Sequence, residues 1–188
     1  MIKVYGGAFS RASIVTWYLE ELGIPYEFVL LDMKQGEHLK PDFLAINPMG
    51  KVPAIVEGDC KLWESGAIIL YLAEKYDNLT DFNERTLMTQ WVLFANSTLS
   101  TGIFVETSRD RETPKLMGPL NDLFSQHLYV TGDRFTVADI AVGSVLAYIP
   151  IMLKLDLSAY PAVMDYIQRI SDRPAFQRTI SAKFPAQT

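Results

Sequence analysis

Three short segments carry groups able to hold and activate a small molecule. In "GAFSRAS", residues 7–13, Ser10 and Arg11 stand between an apolar run and an amphipathic one. A serine there either caps the helix it opens or turns its hydroxyl toward a reacting atom. In "LWESG", residues 62–66, Glu64 and Ser65 lie where a strand gives way to a helix. The hydroxyl and N–H groups at such an end suit a carboxylate, and the same donors serve an ordinary cap. In "GKVPAI", residues 50–55, Val52-Pro53 precedes another apolar run. An X-Pro bond is the one peptide bond that goes cis cheaply, so this pair either makes a sharp corner before a strand or simply bounds it. Tyr5 adds a phenol at the end of the first apolar run, and His38 and Lys51 add polar side chains in loop-like stretches.

The first 76 residues supply the elements to position these groups. "IKVY" reads as a strand, and "RASIVTWYLEELG" sets Val15, Tyr18, Leu19 and Leu22 at helical spacing before closing on Gly23. "PYEFVLL" reads as a second strand, apolar enough for a sheet covered on both faces. A strand-helix-strand start implies a right-handed crossover and a parallel pair. After a polar stretch at 32–47, "VPAIV" and "CKLW" flank Glu57-Gly58-Asp59, the composition of a hairpin turn. "SGAIILYLAEKY" follows as a helix opened by Ser65. This order, β-α-β then β-β-α, predicts a small mixed sheet with helices packed on it over residues 1–76.

Residues 77–84, "DNLTDFNE", read as a linker, and residues 85–188 carry no strand signal. Leu87, Trp91, Phe94 and Thr98 keep one face of a long helix, and a second helix is predicted from about Thr113 to His127. "TVADIAVGSVLAYI" is apolar all round, which predicts a buried helix. Its start, Thr136-x-x-Asp139, has capping-box spacing with Phe135 and Ile140 placed for a hydrophobic staple. Pro161 and Pro174 each suit the first turn of a further helix.

Composition narrows the function classes. A chain of 188 residues that is 49% hydrophobic can bury real cores. Its net charge of −5 argues against nucleic acid as a partner. One cysteine, Cys60, excludes an internal disulfide framework and fits a reducing compartment. "MIKVYGGAF" lacks the apolar core of a signal peptide, and no apolar run approaches the ~18 residues of a membrane span. A soluble cytoplasmic protein is the expectation. The triplets at Asn78 and Asn96 then read as chance rather than glycan acceptors.

"NPMGKVPAIVEGDCKLWESGAIILYLAEKY", residues 47–76, resembles the glutathione-binding half of the glutathione transferase family. "GEHLKPDFLAINPMGKVPAI" is most similar to the theta class and related bacterial transferases, and "FTVADIAVG" carries a folding motif of the same family. The resemblance implies a thioredoxin-like first domain followed by an all-helical one, and a homodimer. It implies a cis Val52-Pro53 bond, with the backbone of Val52 taking the cysteinyl part of glutathione by strand addition. It sets Glu64 and Ser65 against the γ-glutamyl end, and His38 and Lys51 against the glycyl carboxylate. For His38, an idle exposed side chain is the other reading. No metal is implied.

The reaction that the resemblance implies is ionisation of the glutathione thiol for attack on small hydrophobic electrophiles, a detoxification chemistry. The resemblance also implies an accompanying peroxidase activity on organic hydroperoxides. Ser10, Arg11 and, as an alternative, Tyr5 are the candidate thiol partners. The family patterns depart here: Gly7 stands at the theta serine and Phe9 at the bacterial cysteine. That departure keeps a second reading open, a non-catalytic glutathione- or ligand-binding or interaction protein of the same fold. Phe9, Trp91, Phe94, Phe104 and Tyr148 are candidates to line an electrophile cleft between the domains, ordinary core being the alternative for each.

Overall fold

The computed structural model describes residues 1–153 and 155–183. The chain divides into two compact units, Met1–Leu79 together with the stretch from Gln177 onward, and Thr80–Phe176.

The first unit is built on a four-stranded sheet of β1 (Ile2–Gly6), β2 (Tyr26–Leu30), β3 (Ala54–Glu57) and β4 (Cys60–Trp63), in the order β2-β1-β3-β4. β1 runs parallel to β2 and antiparallel to β3, and β3 runs antiparallel to β4. Helix α1 (Ala12–Leu22) closes on Gly23, whose φ of 66° supplies the left-handed cap. It packs against β1 and against α3 (Ser65–Tyr76), burying Val15, Trp17, Tyr18 and Leu19. A 3-10 turn (Glu37–Leu39) and the short helix α2 (Pro41–Leu44) fill the polar stretch before β3. The fold class expected from the sequence holds for this unit. The covering of β2 does not: as an edge strand it is half-buried at best, and Leu30 is 60% exposed. Its apolar run therefore reflects one covered face, not two.

The second unit is helical: α4 (Phe82–Leu93), α5 (Ser100–Phe104), α6 (Glu106–Gln126), α7 (Val137–Tyr148), α8 (Pro161–Ser171) and the start of α9 (Pro174–Thr179). The long helix expected from residue 85 is interrupted by a π-helical segment, Phe94–Leu99. Its buried face is Met88, Val92, Ala95, Leu99 and Ile103, not the neighbouring face of Leu87, Trp91, Phe94 and Thr98. Trp91 and Phe94 instead meet edge to face, with ring centroids 5.5 Å apart. α6 begins seven residues earlier than the expected Thr113, so the charged "ETSRDRETPK" is its first half.

α7 is the core of this unit, buried from Val137 to Ala147. Its capping box is complete: Thr136 Oγ1 accepts from Ala138 N–H at 3.3 Å, and Asp139 Oδ2 accepts from Thr136 N–H at 2.9 Å. Asp139 Oδ1 also accepts from Val130 N–H at 2.9 Å and from the Tyr166 hydroxyl at 3.0 Å. Burial holds the Asp139 carboxyl above its ordinary range, and these donors pull it back only in part. Phe135 turns to other partners than a staple alone, meeting Tyr129 edge to face and lying under Arg173. Among the described residues no helix is long and apolar enough to cross a membrane.

Candidate functional site

The strand register sets three loops side by side. Tyr5 is paired with Ala54, and Ala54 with Trp63, so the end of β1, the start of β3 and the end of β4 lie on adjacent strands. Adjacent strands are ~4.8 Å apart. The loop holding Ser10, the Val52-Pro53 pair and the Glu64-Ser65 junction therefore emerge from one end of the sheet.

Each loop carries polar groups in a defined state. In the first, Ser10 Oγ accepts from Gly7 N–H at 3.1 Å and Ala12 N–H at 3.3 Å, and donates to Gly7 C=O at 3.1 Å. The hydroxyl pins the turn between β1 and α1, and its proton is held by a carbonyl. Arg11 is the residue at the N-cap position of α1, and its side chain is exposed. Tyr5 is half-buried, its ring 5.9 Å from Phe43, and its hydroxyl makes no hydrogen bond among the described residues.

In the second loop the Val52-Pro53 bond is cis, and neither N–H nor C=O of Val52 has a partner among the described residues. Asn47, 1% exposed, shapes the approach to it. Its Nδ2 donates to Lys51 C=O at 2.8 Å and its Oδ1 accepts from Met49 N–H at 3.0 Å. The sequence reading assigned Asn47 no role; its place ahead of a Pro-x-Gly turn was the available signal. Gly50 joins this loop to the 3-10 turn. Its φ is 60°, and a β-carbon there would lie 3.2 Å from the carbonyl oxygen of His38. Lys51 and His38 thus flank one close contact. Lys51 is exposed, whereas His38 Nδ1 is buried and without a hydrogen-bond partner among the described residues.

In the third loop the N-cap of α3 is Glu64, at φ 70° and ψ 116°, and Ser65 is the first helical residue. Ser65 thus opens the helix as expected, and the alternative of an ordinary serine cap does not hold. The glutamate carboxyl makes no cap bond, and the first bonded N–H is that of Ile68, to Glu64 C=O at 3.0 Å. The N–H groups of Ser65, Gly66 and Ala67 therefore have no acceptor among the described residues. A helix end with open donors and a left-handed, non-glycine residue before it is a place where backbone is arranged for a ligand.

At the opposite end of α3, Glu57 ties the sheet to the helix. It accepts from the Tyr71 hydroxyl at 2.8 Å, from Lys75 Nζ at 2.7 Å, and from the Tyr76 hydroxyl in a short bond. Burial raises the Glu57 carboxyl, but the bonds from Lys75, Tyr76 and Tyr71 outweigh it and hold it below the usual range.

Of the aromatic candidates, Phe9 belongs to the first unit and is 73% exposed. Trp91, Phe94, Phe104 and Tyr148 belong to the second and are each half-buried. Among the described residues no cluster of His, Cys, Asp or Glu is placed to hold a metal ion.

The profile "Glutathione S-transferase, N-terminal domain" matches residues 1–74, and "Glutathione S-transferase, C-terminal domain" matches residues 106–174. The chain is 30% identical to the disulfide-bond oxidoreductase YfcG of Escherichia coli, over 93% of this chain and 92% of that protein. It is also 30% identical to glutathione S-transferase 3 of Zea mays, over 96% and 94%. A solved glutathione transferase from Burkholderia graminis, with two glutathione molecules bound per subunit, superimposes with a TM-score of 0.81 at 27% identity. That match covers 100% of this chain and 89% of the other.

Proposed function

The chain belongs to the glutathione S-transferase family, and on that premise we propose that its first unit binds glutathione and ionises the thiol for attack on small apolar electrophiles. The observation that carries this reading is the convergence at one end of the sheet of the Ser10 turn with two loops whose backbone groups are unpaired among the described residues. The free N–H and C=O of Val52 match the cysteinyl backbone of an extended tripeptide. The Ser65 hydroxyl and the open N–H groups of α3 match the γ-glutamyl carboxylate, with Glu64 beside them for its ammonium. Lys51 and His38, carried by neighbouring loops that approach at Gly50, are the cationic candidates for the glycyl carboxylate.

The chemistry asked of the chain is modest. Moving a thiol from about 8.5 to about two units lower takes ~2.7 kcal/mol of preference for the thiolate. Ser10 is the nearest hydroxyl to the junction of β1 and α1. Its two accepted bonds stay in the loop while its hydroxyl turns its hydrogen bond from Gly7 C=O to the sulfur, whose own proton leaves to solvent. Arg11 adds a fixed positive charge close by. The thiolate lone pair then forms the new C–S bond, and a leaving group departs or the electrophile's π pair takes a solvent proton. With an organic hydroperoxide, two glutathione molecules would yield an alcohol, water and the glutathione disulfide. We place the protein in the cytoplasm as a homodimer, with Phe9, Trp91, Phe94, Phe104 and Tyr148 as candidate contacts for the electrophile.

Retention on glutathione-agarose and conjugation of at least one member of a panel of aryl halides, isothiocyanates and enals test the reading. Ser65→Ala is expected to weaken glutathione binding about tenfold, the loss of one charge-assisted donor. Tight glutathione binding with no turnover across the panel would favour the carrier reading, which the Ser10 proton's present bond to Gly7 C=O keeps in view. Failure to bind glutathione would sink both.

A further inference from the structure

The loop before β3 holds one buried amide with both of its ends engaged. Asn47 is buried, and its backbone is tied on either side: its N–H donates to Phe43 C=O at 2.9 Å, and its C=O accepts from Gly50 N–H at 3.0 Å. Its Oδ1 accepts from Met49 N–H, and this bond decides which way round the amide sits. Turned over, the amide would set Nδ2 against that N–H and Oδ1 against the Lys51 carbonyl, two like pairs in a buried place. Nδ2 is therefore the group that donates to Lys51 C=O, at 2.8 Å. Among the described residues Lys51 C=O has no other donor.

The consequence appears one residue further on. The carbonyl of Lys51 and the N–H of Val52 belong to a single peptide unit. Among the described residues the cis bond is Val52-Pro53, so the Lys51-Val52 unit is trans and its C=O and N–H point in opposite directions. Holding the carbonyl toward Asn47 turns the Val52 N–H away from it, to a side where it has no partner among the described residues. A hydrogen bond accepted by the C=O also polarises the N–H of the same unit and makes it a better donor. The carbonyl of Val52 belongs to the next unit, shared with Pro53, and the Asn47 side chain makes no bond to it.

We propose that Asn47 is a positioning residue for glutathione: its amide aims the Val52 N–H at the cysteinyl carbonyl and leaves the pairing of the Val52 carbonyl with the cysteinyl N–H unaffected. This inference rests on the glutathione-binding reading above. An aspartate at position 47 has the same shape and keeps an oxygen for Met49 N–H, but it offers the Lys51 carbonyl a second oxygen in place of a donor. Repulsion between the two turns the Lys51-Val52 unit over and withdraws the N–H from the ligand.

The test compares three ligands by calorimetry on the unmodified protein and on Asn47→Asp. They are glutathione, an analogue whose cysteinyl–glycyl amide is replaced by a trans alkene, and one whose γ-glutamyl–cysteinyl amide is replaced in the same way. The first analogue lacks the cysteinyl carbonyl, and the second lacks the cysteinyl N–H. Asn47→Asp is expected to weaken glutathione about tenfold, the equivalent of one well-placed hydrogen bond. The second analogue should lose the same factor of about ten, and the first less than about twofold. Equal weakening of all three ligands, or none for glutathione, overturns the inference, because Asn47 would then only shape its loop. If circular dichroism shows that Asn47→Asp does not fold, Asn47→Ser takes its place in the comparison, its shorter side chain reaching Met49 N–H but not Lys51 C=O as well. Equal binding of glutathione and the first analogue by the unmodified protein also overturns it, while leaving glutathione binding intact. No binding of glutathione by the unmodified protein overturns this inference and the reading beneath it together.

Discussion

Removing the Ser10 hydroxyl separates its two possible duties. As the chain stands, Ser10 Oγ makes three bonds within its turn: two accepted from Gly7 and Ala12 N–H, and one donated to Gly7 C=O. If the proton moves to a thiolate, the site exchanges a neutral bond worth ~1 kcal/mol for a charge-assisted one worth ~1.5–3 kcal/mol. The net, ~0.5–2 kcal/mol, corresponds to about one pKa unit of the bound thiol at 1.36 kcal/mol per unit. Ser10→Ala should therefore raise the apparent pKa governing kcat/KM by about one unit. The sign follows from the thiolate being the reactive form: activity rises as pH rises through this pKa, so the variant needs a higher pH to reach the same rate. With 1-chloro-2,4-dinitrobenzene, kcat/KM should fall about tenfold near pH 6 and converge with the unmodified protein above pH ~9.

The same substitution leaves Gly7 N–H and Ala12 N–H without their acceptor, which should lower unfolding stability by ~1–2 kcal/mol. This structural effect moves Tm but not the pKa of the rate profile. A uniform loss of rate at every pH, with the inflection unmoved, would show that Ser10 only shapes the turn. Should Tyr5→Phe move the inflection while Ser10→Ala does not, the thiol partner is the unengaged phenol of Tyr5.

Two further predictions concern the scaffold. Glu57→Gln removes the carboxylate that gathers Tyr71, Tyr76 and Lys75, and should cost about 1 kcal/mol in urea unfolding at pH 7. Because the folded carboxyl lies below its ordinary value of 4.5, its contribution is present above that pH and lost as pH falls through the folded value. The gap between the variant and the unmodified protein should accordingly close in acid, and a gap that widens would refute the assignment. In the second unit, Asp139→Asn turns an amide N–H toward the donors of Thr136, and should destabilise by ~2–4 kcal/mol against ~1 kcal/mol for Thr136→Ala, both read from denaturant midpoints. Equal costs would mean that the cap, not the buried carboxylate with its bonds to Val130 and Tyr166, carries the energy.

What the chain discloses before folding is mostly local. Turn residues and periodicity place β3, β4 and α7 within a residue or two, and the thioredoxin-like order follows from them. The convergence of the three loops was legible only through the family resemblance, because the order of elements alone leaves the strand pairing open, and the order β2-β1-β3-β4 is what sets them side by side. The failures come where one contact decides between near-equal local choices. The face of α4 was misread by one residue along its whole length: 88, 92, 95 and 99 are buried where 87, 91, 94 and 98 were expected. One residue is a rotation of ~100°. Trp91 and Phe94 have the bulk of core residues, yet they satisfy it against each other, leaving smaller Val92 and Ala95 to the interior. Ser65 opens α3 as its sequence suggests, whereas the positive φ of Glu64 before it is a conformation that composition does not suggest.

Gly7 shows the same limit in its sharpest form. Set against family patterns, it is a position where a catalytic side chain is lacking, and that absence argues for a weakened enzyme. In the folded chain the room is occupied by Met33, arriving from a different loop. A substitution read along the sequence is a loss, whereas read across space it is an exchange of one side chain for another at the same point. The two descriptions predict different behaviour for Gly7→Ala: recovery of something missing, or eviction of something present. Since a β-carbon built on Gly7 would fall inside contact distance of Met33 and the backbone there needs no glycine, eviction is the outcome that the geometry requires.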